Sequence, residues 1–368
     1  MKECSKKIVV CPDSFKGSLN AREVTKVISE SLREKLKQVE IIELPLADGG
    51  EGTADILSSK FFPIKKRVKV HDPLGRLIDT YYHKDQSGQK IFIESALIIG
   101  LNLLKENERN PIYTTSQGLG EIIKMAINEG GKEINISLGG SATCDGGIGM
   151  LMELGIWMSD KTEENLFQDV QFNVICDVTN PLLGKNGAVQ IYAPQKGAKS
   201  EDIPFLEKRL KEVENRAILK GYAVKEDSLK PGSGAAGGLG YAFQTFLNGS
   251  AINGINYILD KTNFKKVIKG ANLIITGEGK IDKQSFMGKV LNGVTKIAQK
   301  EGIPVLAIGG IVEKFHFDYY KMNEKLQLSF LEIMDKKLDL KENMQKERSK
   351  HNIKKAIEKF DFKQFGFQ

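Results

Sequence analysis

Residues 8–53 decide the fold class, and they read IVVCPDSFKGSLNAREVTKVISESLREKLKQVEIIELPLADGGEGT. This segment contains two consecutive units in which a short apolar strand leads through a turn into a helix. In the first unit Ile8–Cys11 is the strand, and Asn20 is placed to cap the helix that follows. In the second unit Val39–Leu44 is the strand, and a glycine-rich turn at 47–53 precedes the helix. Alternation of strand and helix predicts a parallel α/β sheet.

The middle of the chain has a different pattern. Short alternating segments separated by turn residues predict an antiparallel meander, and they lie at 68–70, 79–84 and 89–93. Short apolar strands followed by glycines return near 273–276 and 305–309. We therefore expect two α/β domains. One is a discontinuous, Rossmann-like parallel-sheet domain formed by 1–66 and 268–368, and the other is a mixed-sheet domain at 67–267 inserted into it.

Composition and charge exclude several classes of protein. The chain has 368 residues, 40% of them apolar and 27% charged, which is enough for two or three domains and excludes general disorder. The net charge is +7, of which +5 lies in Lys336–Lys363 among acidic and apolar residues. That distribution indicates a solvated helix face rather than a nucleic-acid surface.

Cysteine spacing and hydropathy suggest where the protein works. The four cysteines form no CxxC pair, which is typical of reduced cytosolic thiols. The first residues lack the apolar region of a signal peptide, and no apolar stretch approaches the roughly 20 residues of a membrane span. We expect a cytoplasmic protein with no membrane partner and no nucleic-acid partner.

Glycine is the most informative residue type in this sequence. Fifteen of the 37 glycines lie in four short segments, at 49–52, 139–149, 232–240 and 277–279. Such segments let successive backbone N–H groups converge on an anion, although glycines also serve simply to make tight turns. No GxxxxGK[ST] motif occurs. Residues 232–237 match GxGxxG but follow Lys230-Pro231 rather than a strand, so a dinucleotide site is not supported.

Acidic residues accompany these glycines. They lie beside the loops or at the end of a strand, and they are Asp48, Glu51, Asp145, Asp177, Glu278 and Asp282. Mg²⁺-dependent phosphoryl transfer needs carboxylates for the metal and for the attacking hydroxyl, and basic groups to balance the moving charge. Lys16, Arg76, Lys196 and Lys289 lie near turns and could provide that balance. Each acid could instead be a helix cap or a turn residue.

Nine motifs, in order between about residue 7 and residue 310, resemble those of the bacterial glycerate kinase family. They are VCPDSFKGS (10–18), PLADGGEGT (45–53), DPLGR (72–76), TTSQGLGE (114–121), LGGSATCDGG (138–147), CDVTNPL (176–182), PQKGA (194–198), PGSGAAGGLG (231–240) and TGEGKID (276–282). A single short glycine motif would be unspecific, whereas nine motifs in family order are highly specific.

The resemblance implies an enzyme that phosphorylates D-glycerate with ATP and Mg²⁺. In this branch of the family the acceptor is the 2-hydroxyl, giving 2-phosphoglycerate and ADP, although the chain alone leaves 2- or 3-phosphoglycerate open. The resemblance also implies a cleft between two α/β domains, while a homo-oligomer remains one alternative for the assembly. Two other functions stay open: a kinase for another small hydroxy acid or polyol, and a non-catalytic ligand-binding relative.

Residue type then suggests a division of roles among the motif residues. The catalytic candidates are Lys16, Asp48, Glu278 and Asp282. The substrate-binding candidates are Asp13, Ser18, Arg76 and Glu51. The candidates for ATP binding are Gly139, Gly140, Ser141, Thr143, Lys196, Gly234, Gly237 and Gly238. Asp145 and Asp177 are the candidates for Mg²⁺, directly or through water.

Two departures from the family pattern bear on this assignment. Cys144 stands where the family pattern has Asn, so a small neutral side chain is kept and an amide hydrogen bond is lost. Without a partnered base, Cys144 is expected to be a small filler rather than a nucleophile. The segment Trp157–Phe167 is shorter than usual, which would matter only if it lined the cleft.

Overall fold

A computed structural model describes residues 6–50, 52–58, 60–158, 167–286, 288–313 and 327–367. The chain divides into two compact units, Met1–Asp48 with Ile255–Gln368, and Gly49–Gly254. We term them the split unit and the inserted unit. The α/β class expected from the sequence is confirmed. The sequence predicts domains at 1–66 with 268–368 and at 67–267. Both predicted boundaries lie later in the chain than those between the two compact units, and this division remains a prediction.

The strands fall into two sheets. In chain order they are β1 (Lys6–Val10), β2 (Val39–Glu43), β3 (Ile64–His71), β4 (Leu77–Lys84), β5 (Lys90–Glu94), β6 (Glu133–Ser137), β7 (Gln171–Ile175), β8 (Ser250–Ile252), β9 (Leu273–Ile281), β10 (Val305–Val312) and β11 (Leu328–Glu332). The split unit holds a five-stranded sheet in the order β11-β10-β9-β1-β2, and the inserted unit holds a six-stranded sheet in the order β3-β4-β5-β6-β7-β8.

Helices connect most of these strands. In chain order they are α1 (Ala21–Lys35), α2 (Thr53–Ser58), α3 (Ala96–Ile99), α4 (Gln117–Asn128), α5 (Ile148–Glu153), α6 (Ala188–Tyr192), α7 (Ile203–Leu219), α8 (Leu239–Phe246), α9 (Gly254–Lys261), α10 (Phe264–Ile268), α11 (Val290–Glu301), α12 (Leu340–Asn343) and α13 (Lys346–Lys359). In the described ranges, none of the helices combines the length and the apolar character needed to cross a membrane.

The split-unit sheet is entirely parallel, as the repeated βα pattern predicts. Its strand β1, which lies between β9 and β2, is fully buried at Ile8–Val10, as expected for a strand covered on both faces. The predicted cap of α1 is confirmed: the Asn20 side chain accepts from the Glu23 N–H, and the Glu23 carboxylate accepts from the Asn20 N–H. The cap fixes where the chain leaves the turn after β1.

Strand β9 is longer than the sequence predicts. The fourth glycine segment was expected to be a loop, but Gly277 and Gly279 lie within β9, and Gly277 pairs with Ile308 of β10. A Cβ at Gly277 would lie 2.1 Å from the Ile308 carbonyl oxygen, so glycine here permits a close approach of two strands. The prediction of a loop at 277–279 is therefore wrong, because this segment is part of a strand.

The C-terminal segment is more ordered than expected. The sequence predicts one helix followed by a loose end, and α13 is that helix. Its Ile353 and Ile357 are buried in the same apolar cluster as Leu32 of α1. Beyond the helix, Phe362 and Phe367 are also buried in that cluster, which corrects the expected loose end. Burial of two phenylalanine side chains supplies enough apolar area to hold the terminus in place.

The inserted-unit sheet is mixed. Strands β3, β4 and β5 form the predicted antiparallel meander. Strand β5 then pairs in parallel with β6, and β6, β7 and β8 continue in parallel. Because β5 to β8 share one direction, the segments that follow them emerge at the same edge of the sheet, where ligands of open α/β sheets bind.

Candidate active site

Three carboxylates meet at one edge of the split-unit sheet. Asp13 follows β1, Asp48 follows β2, and Glu278 lies in the second half of β9. The strand order β9-β1-β2 places the three strands that carry these acids side by side. The Asp13 N–H donates to the Gly277 carbonyl at 2.8 Å. Carboxyl ends of parallel strands lie at the same edge, so the sheet brings together acids that the sequence keeps far apart.

The charges of these acids act on one another. Burial raises the pKa of Asp13 well above its usual value, and the nearby charges of Asp48 and Glu278 raise it further. The Ser14 N–H donates to Asp13 Oδ1 at 2.6 Å and partly opposes this shift. Like charges held together in a buried site favour a shared proton, which is a common property of catalytic acids.

Glu278 is nearly buried, with 8% of its surface exposed. Burial raises the pKa of Glu278 to about 7; the charges of Asp282 and Asp48 add to this, while Ser285 and Lys289 oppose it. Its Oε1 accepts no hydrogen bond from the described residues, and Lys289 Nζ lies 3.9 Å from Oε2. A carboxylate of this kind can take up a proton near neutral pH.

The other candidates of the split unit are placed differently. Asp282 Oδ1 accepts from the Gln284 N–H at 2.8 Å and so caps a short turn. Ser18 shares a 2.6 Å hydrogen bond between hydroxyls with Ser349, at the start of α13. Lys16 lies exposed in the turn after β1, with its backbone beside Gly279. The geometry thus gives Asp282 and Ser18 structural contacts and leaves the Lys16 side chain at the surface.

In the inserted unit, residues 139–149 form the glycine loop. The ammonium of Lys196, only 3% exposed, donates to Ser141 Oγ at 2.9 Å and to the Thr143 carbonyl at 2.7 Å. Burial lowers the pKa of Lys196. The N–H groups of Gly139, Gly140 and Ser141 make no hydrogen bond within the part of the chain that the structure describes. Such N–H groups beside a lysine are what an anionic phosphate requires.

The second glycine segment, 232–240, packs against this loop. A Cβ at Gly237 would lie 2.0 Å from the Thr143 carbonyl oxygen, and a Cβ at Gly238 would lie 2.9 Å from Gly146 Cα. The Gly146 N–H also donates to the Gly237 carbonyl at 3.0 Å. A Cβ at Gly234 would meet a carbonyl oxygen at 2.4 Å. These glycines, predicted to bind ATP, are required for close contact between backbones.

Asp145 is buried inside the glycine loop. Its Oδ2 accepts from the N–H and the hydroxyl of Ser116, at 2.8 and 2.7 Å, and from the Gly149 N–H at 3.1 Å. Its Oδ1 accepts from the Gly147 N–H at 3.1 Å. Four donors thus use both oxygens of this predicted magnesium ligand. The contacts fasten the loop to the start of α4.

Asp177 has a more open setting at the carboxyl end of β7. Its Oδ1 accepts from the Asn253 side chain and from the Gly254 N–H, each at 2.8 Å, and the residue is half-buried. No group of three or more His, Cys, Asp or Glu in the described ranges could hold a metal ion alone. Mg²⁺ usually takes one or two carboxylates and completes its shell with phosphate and water, so Asp177 fits this ion.

Arg76 and Glu51 are the remaining predicted substrate ligands, and Cys144 and the segment Trp157–Phe167 are the two departures from the family pattern. Arg76 pairs with Asp72 at 2.6 Å and with Glu108 at 2.9 Å, so its guanidinium is bound within its own unit. Glu51 lies outside the described residues. Cys144 is fully buried in the apolar cluster of the inserted unit, and burial raises its pKa, which supports a filler role. Residues 159–166 of the short segment also lie outside the described residues.

Sequence reasoning missed two residues that organise these groups. Ser116 holds Asp145 through two hydrogen bonds, and Asn253 holds Asp177. Ser116 lies in the TTSQGLGE motif and directly precedes α4, and serine is common at that position of a helix, so the sequence held a usable signal. Nothing near Asn253 in the sequence indicates its role, since its partner is 76 residues away.

Comparison with known proteins gives a consistent result. The model of the glycerate kinase family matches residues 8–168 and 161–361. The chain is 38% identical to a glycerate 2-kinase of Escherichia coli K12, covering 83% of this chain and 85% of that one. It is 38% identical to a glycerate kinase of Bacillus cereus, covering 87% and 88%. A crystal structure designated putative glycerate kinase 2 from Salmonella typhimurium LT2 covers 96% of both chains at 32% identity, with a TM-score of 0.78.

Proposed function

Since the chain belongs to the glycerate kinase family and is a kinase, we propose that it transfers the γ-phosphoryl group of ATP to the 2-hydroxyl of D-glycerate. The products are 2-phosphoglycerate and ADP. The observation that carries the proposal is the group of Asp13, Asp48 and Glu278 at one edge of the split-unit sheet. An alcohol becomes a good nucleophile only when a nearby group accepts its proton, and this group provides such an acceptor.

On the acceptor side, Glu278 is the general base. Its Oε1 is unbonded among the described residues, and its pKa of about 7 suits proton transfer at neutral pH. It takes the proton of the glycerate 2-hydroxyl as the oxygen attacks the γ-phosphorus, and ADP leaves with the bonding electron pair. Asp48 orients the same hydroxyl. Lys16, exposed after β1, is the basic side chain placed to hold the glycerate carboxylate.

On the donor side, the glycine loop and Lys196 hold the phosphates of ATP. The N–H groups of Gly139, Gly140 and Ser141 provide directed donors, and the buried ammonium of Lys196 provides charge. Electrostatic stabilisation by fixed donors is the largest contribution to phosphoryl transfer, because little covalent chemistry remains for the protein to do. The second glycine segment packs against this loop and keeps it in place, and it does not contact the nucleotide.

Asp177 is the residue that fits Mg²⁺, whereas the carboxylate of Asp145 is already used by four donors. When bound, this ion neutralises charge on the β- and γ-phosphates. The described cysteines, Cys11, Cys144 and Cys176, are free and buried, which agrees with a reducing cytoplasm as the place of action.

A coupled assay of ADP release tests the proposal. The purified protein is assayed with ATP and D-glycerate, with and without Mg²⁺, and ³¹P NMR identifies the phosphoglycerate. The matched pair of variants is Glu278→Gln and Glu34→Gln, the latter at an exposed position of α1 in the same unit. Loss of a general base should lower kcat by about 10² to 10⁴-fold in the first variant alone.

The outcomes separate the open alternatives. Phosphorylation of other hydroxy acids or polyols in preference to D-glycerate would replace the proposed substrate. ATP binding without turnover of any acceptor would indicate a non-catalytic protein. Formation of 3-phosphoglycerate would overturn the assignment of the 2-hydroxyl.

A further inference from the structure

Lys289 is a charged residue to which the mechanism under the proposed function assigns no role. It is the residue directly before α11, and its ammonium lies 3.9 Å from Glu278 Oε2. In the described ranges it is the only cation paired with Glu278. The lysine is about one third exposed, and the carboxylate is nearly buried, so the pair is screened less than an ordinary surface pair.

The charges around Glu278 are otherwise negative. Asp13 faces it from the end of β1, Asp48 from the end of β2, and Asp282 from the turn after β9. On its other side, β10 contributes Gly309, which pairs with Glu278 and carries no charge. Three acids therefore favour the protonated form of Glu278, while Ser285 and one lysine, Lys289, oppose them.

We propose that Lys289 is a positioning residue for the base: it keeps the Glu278 carboxylate charged and holds Oε2, which leaves Oε1 for the acceptor hydroxyl. The chemical consequence rests on the proposed function, whereas the pairing of the two side chains does not. An opposite charge at this distance shifts the titration of a carboxyl group by about 1 to 3 pH units. Since Lys289 is partly exposed, we expect a shift of about one unit.

The direct test is a titration of Glu278 by NMR. Protein labelled with ¹³C at the glutamate carboxyl carbon is titrated, and the Glu278 signal is identified by its loss in Glu278→Gln. A group with a pKa of about 7 titrates apart from ordinary glutamates. In Lys289→Met the Glu278 midpoint should rise by about one unit, and in Lys289→Arg it should stay near the wild-type value.

Lys296→Met is the matched control, because Lys296 is an exposed lysine of the same helix. It should leave the Glu278 midpoint unchanged. Asp48→Asn should move the midpoint in the opposite direction, because it removes a negative charge. If Lys289→Met unfolds, which circular dichroism would show, Lys289→Gln is used in its place.

The kinetic counterpart is the pH profile of kcat/KM with D-glycerate. Loss of the lysine should move the acidic limb to higher pH by the same amount as the NMR midpoint, whereas a purely structural role would lower the profile without moving it. An unchanged Glu278 midpoint in an active Lys289→Met enzyme refutes this inference alone. A shifted midpoint in a protein that does not phosphorylate glycerate refutes the proposed function and leaves the pairing intact.

Discussion

Substitution of Gly237 by alanine tests whether the second glycine segment is built for packing. Gly237 has a φ of +69°, and the Cβ of an alanine would lie 2.0 Å from the Thr143 carbonyl oxygen. Real Cβ atoms do not approach other atoms below 3.0 Å, so the glycine loop or the segment must move. Because both partners are backbone, no side-chain rotation can relieve the clash.

The expected loss of stability has two contributions. The left-handed backbone costs an L-residue about 1 to 2 kcal/mol. Forced displacement in a packed region adds about 1 to 3 kcal/mol. Gly221 provides the control, since its φ is +75° and a Cβ at this position would meet no other atom within 4 Å. Gly221→Ala should therefore show the first contribution only, and Gly237→Ala should show both.

Urea unfolding followed by tryptophan fluorescence measures the difference. The chain has one tryptophan, Trp157, and it packs against the core of the inserted unit, so the signal reports on the unit that contains both substitutions. A midpoint in Gly237→Ala well below that of Gly221→Ala confirms the packing role. Equal midpoints, with a loss of ATP affinity in Gly237→Ala alone, would refute it and restore the phosphate-binding role predicted from the sequence.

Three further changes test the remaining contacts. Lys196→Met should raise KM for ATP tenfold or more, which corresponds roughly to the free energy of one charge-assisted hydrogen bond. Lys199→Met, at an exposed position, should leave KM for ATP unchanged. Asp145→Asn should lower stability by about 1 to 3 kcal/mol in urea unfolding without changing the Mg²⁺ requirement, because Ser116 loses a charged acceptor. Since Glu278 accepts a proton only when ionised, kcat/KM should fall as the pH drops through about 7 in a steady-state profile.

The fold was predictable wherever local patterns set the structure. The Asn20 cap, the parallel βα units and the antiparallel β3–β4–β5 meander follow from residue spacing alone. The extension of β9 through Gly277 could not be predicted from residue spacing, because a glycine inside a strand and a glycine in a loop look alike in sequence. Only the approach of Ile308 on the neighbouring strand distinguishes them.

The site was predictable as a set of residues but not as a set of roles. Asp145 and Asp177 both follow a strand in a motif rich in polar and small residues, and the sequence assigns them the same role. Their contacts differ because their partners come from elsewhere in the chain: Ser116 is 29 residues from Asp145, and Asn253 is 76 residues from Asp177. Side-chain direction at such positions depends on these partners, which residue type does not encode.

The acid group shows why long-range pairing matters for the chemistry. Strand β9 follows the whole of the inserted unit in the sequence, yet it pairs with β1. The Thr276 hydroxyl of β9 donates to the Cys11 carbonyl, which lies 265 positions earlier in the chain. Glu278 therefore becomes buried beside Asp13 and Asp48 only when that pairing forms. Because burial is the main cause of its raised pKa, the proposed base exists only in the paired sheet. A substitution that weakens the β1–β9 pairing should reduce activity even where each acid is retained.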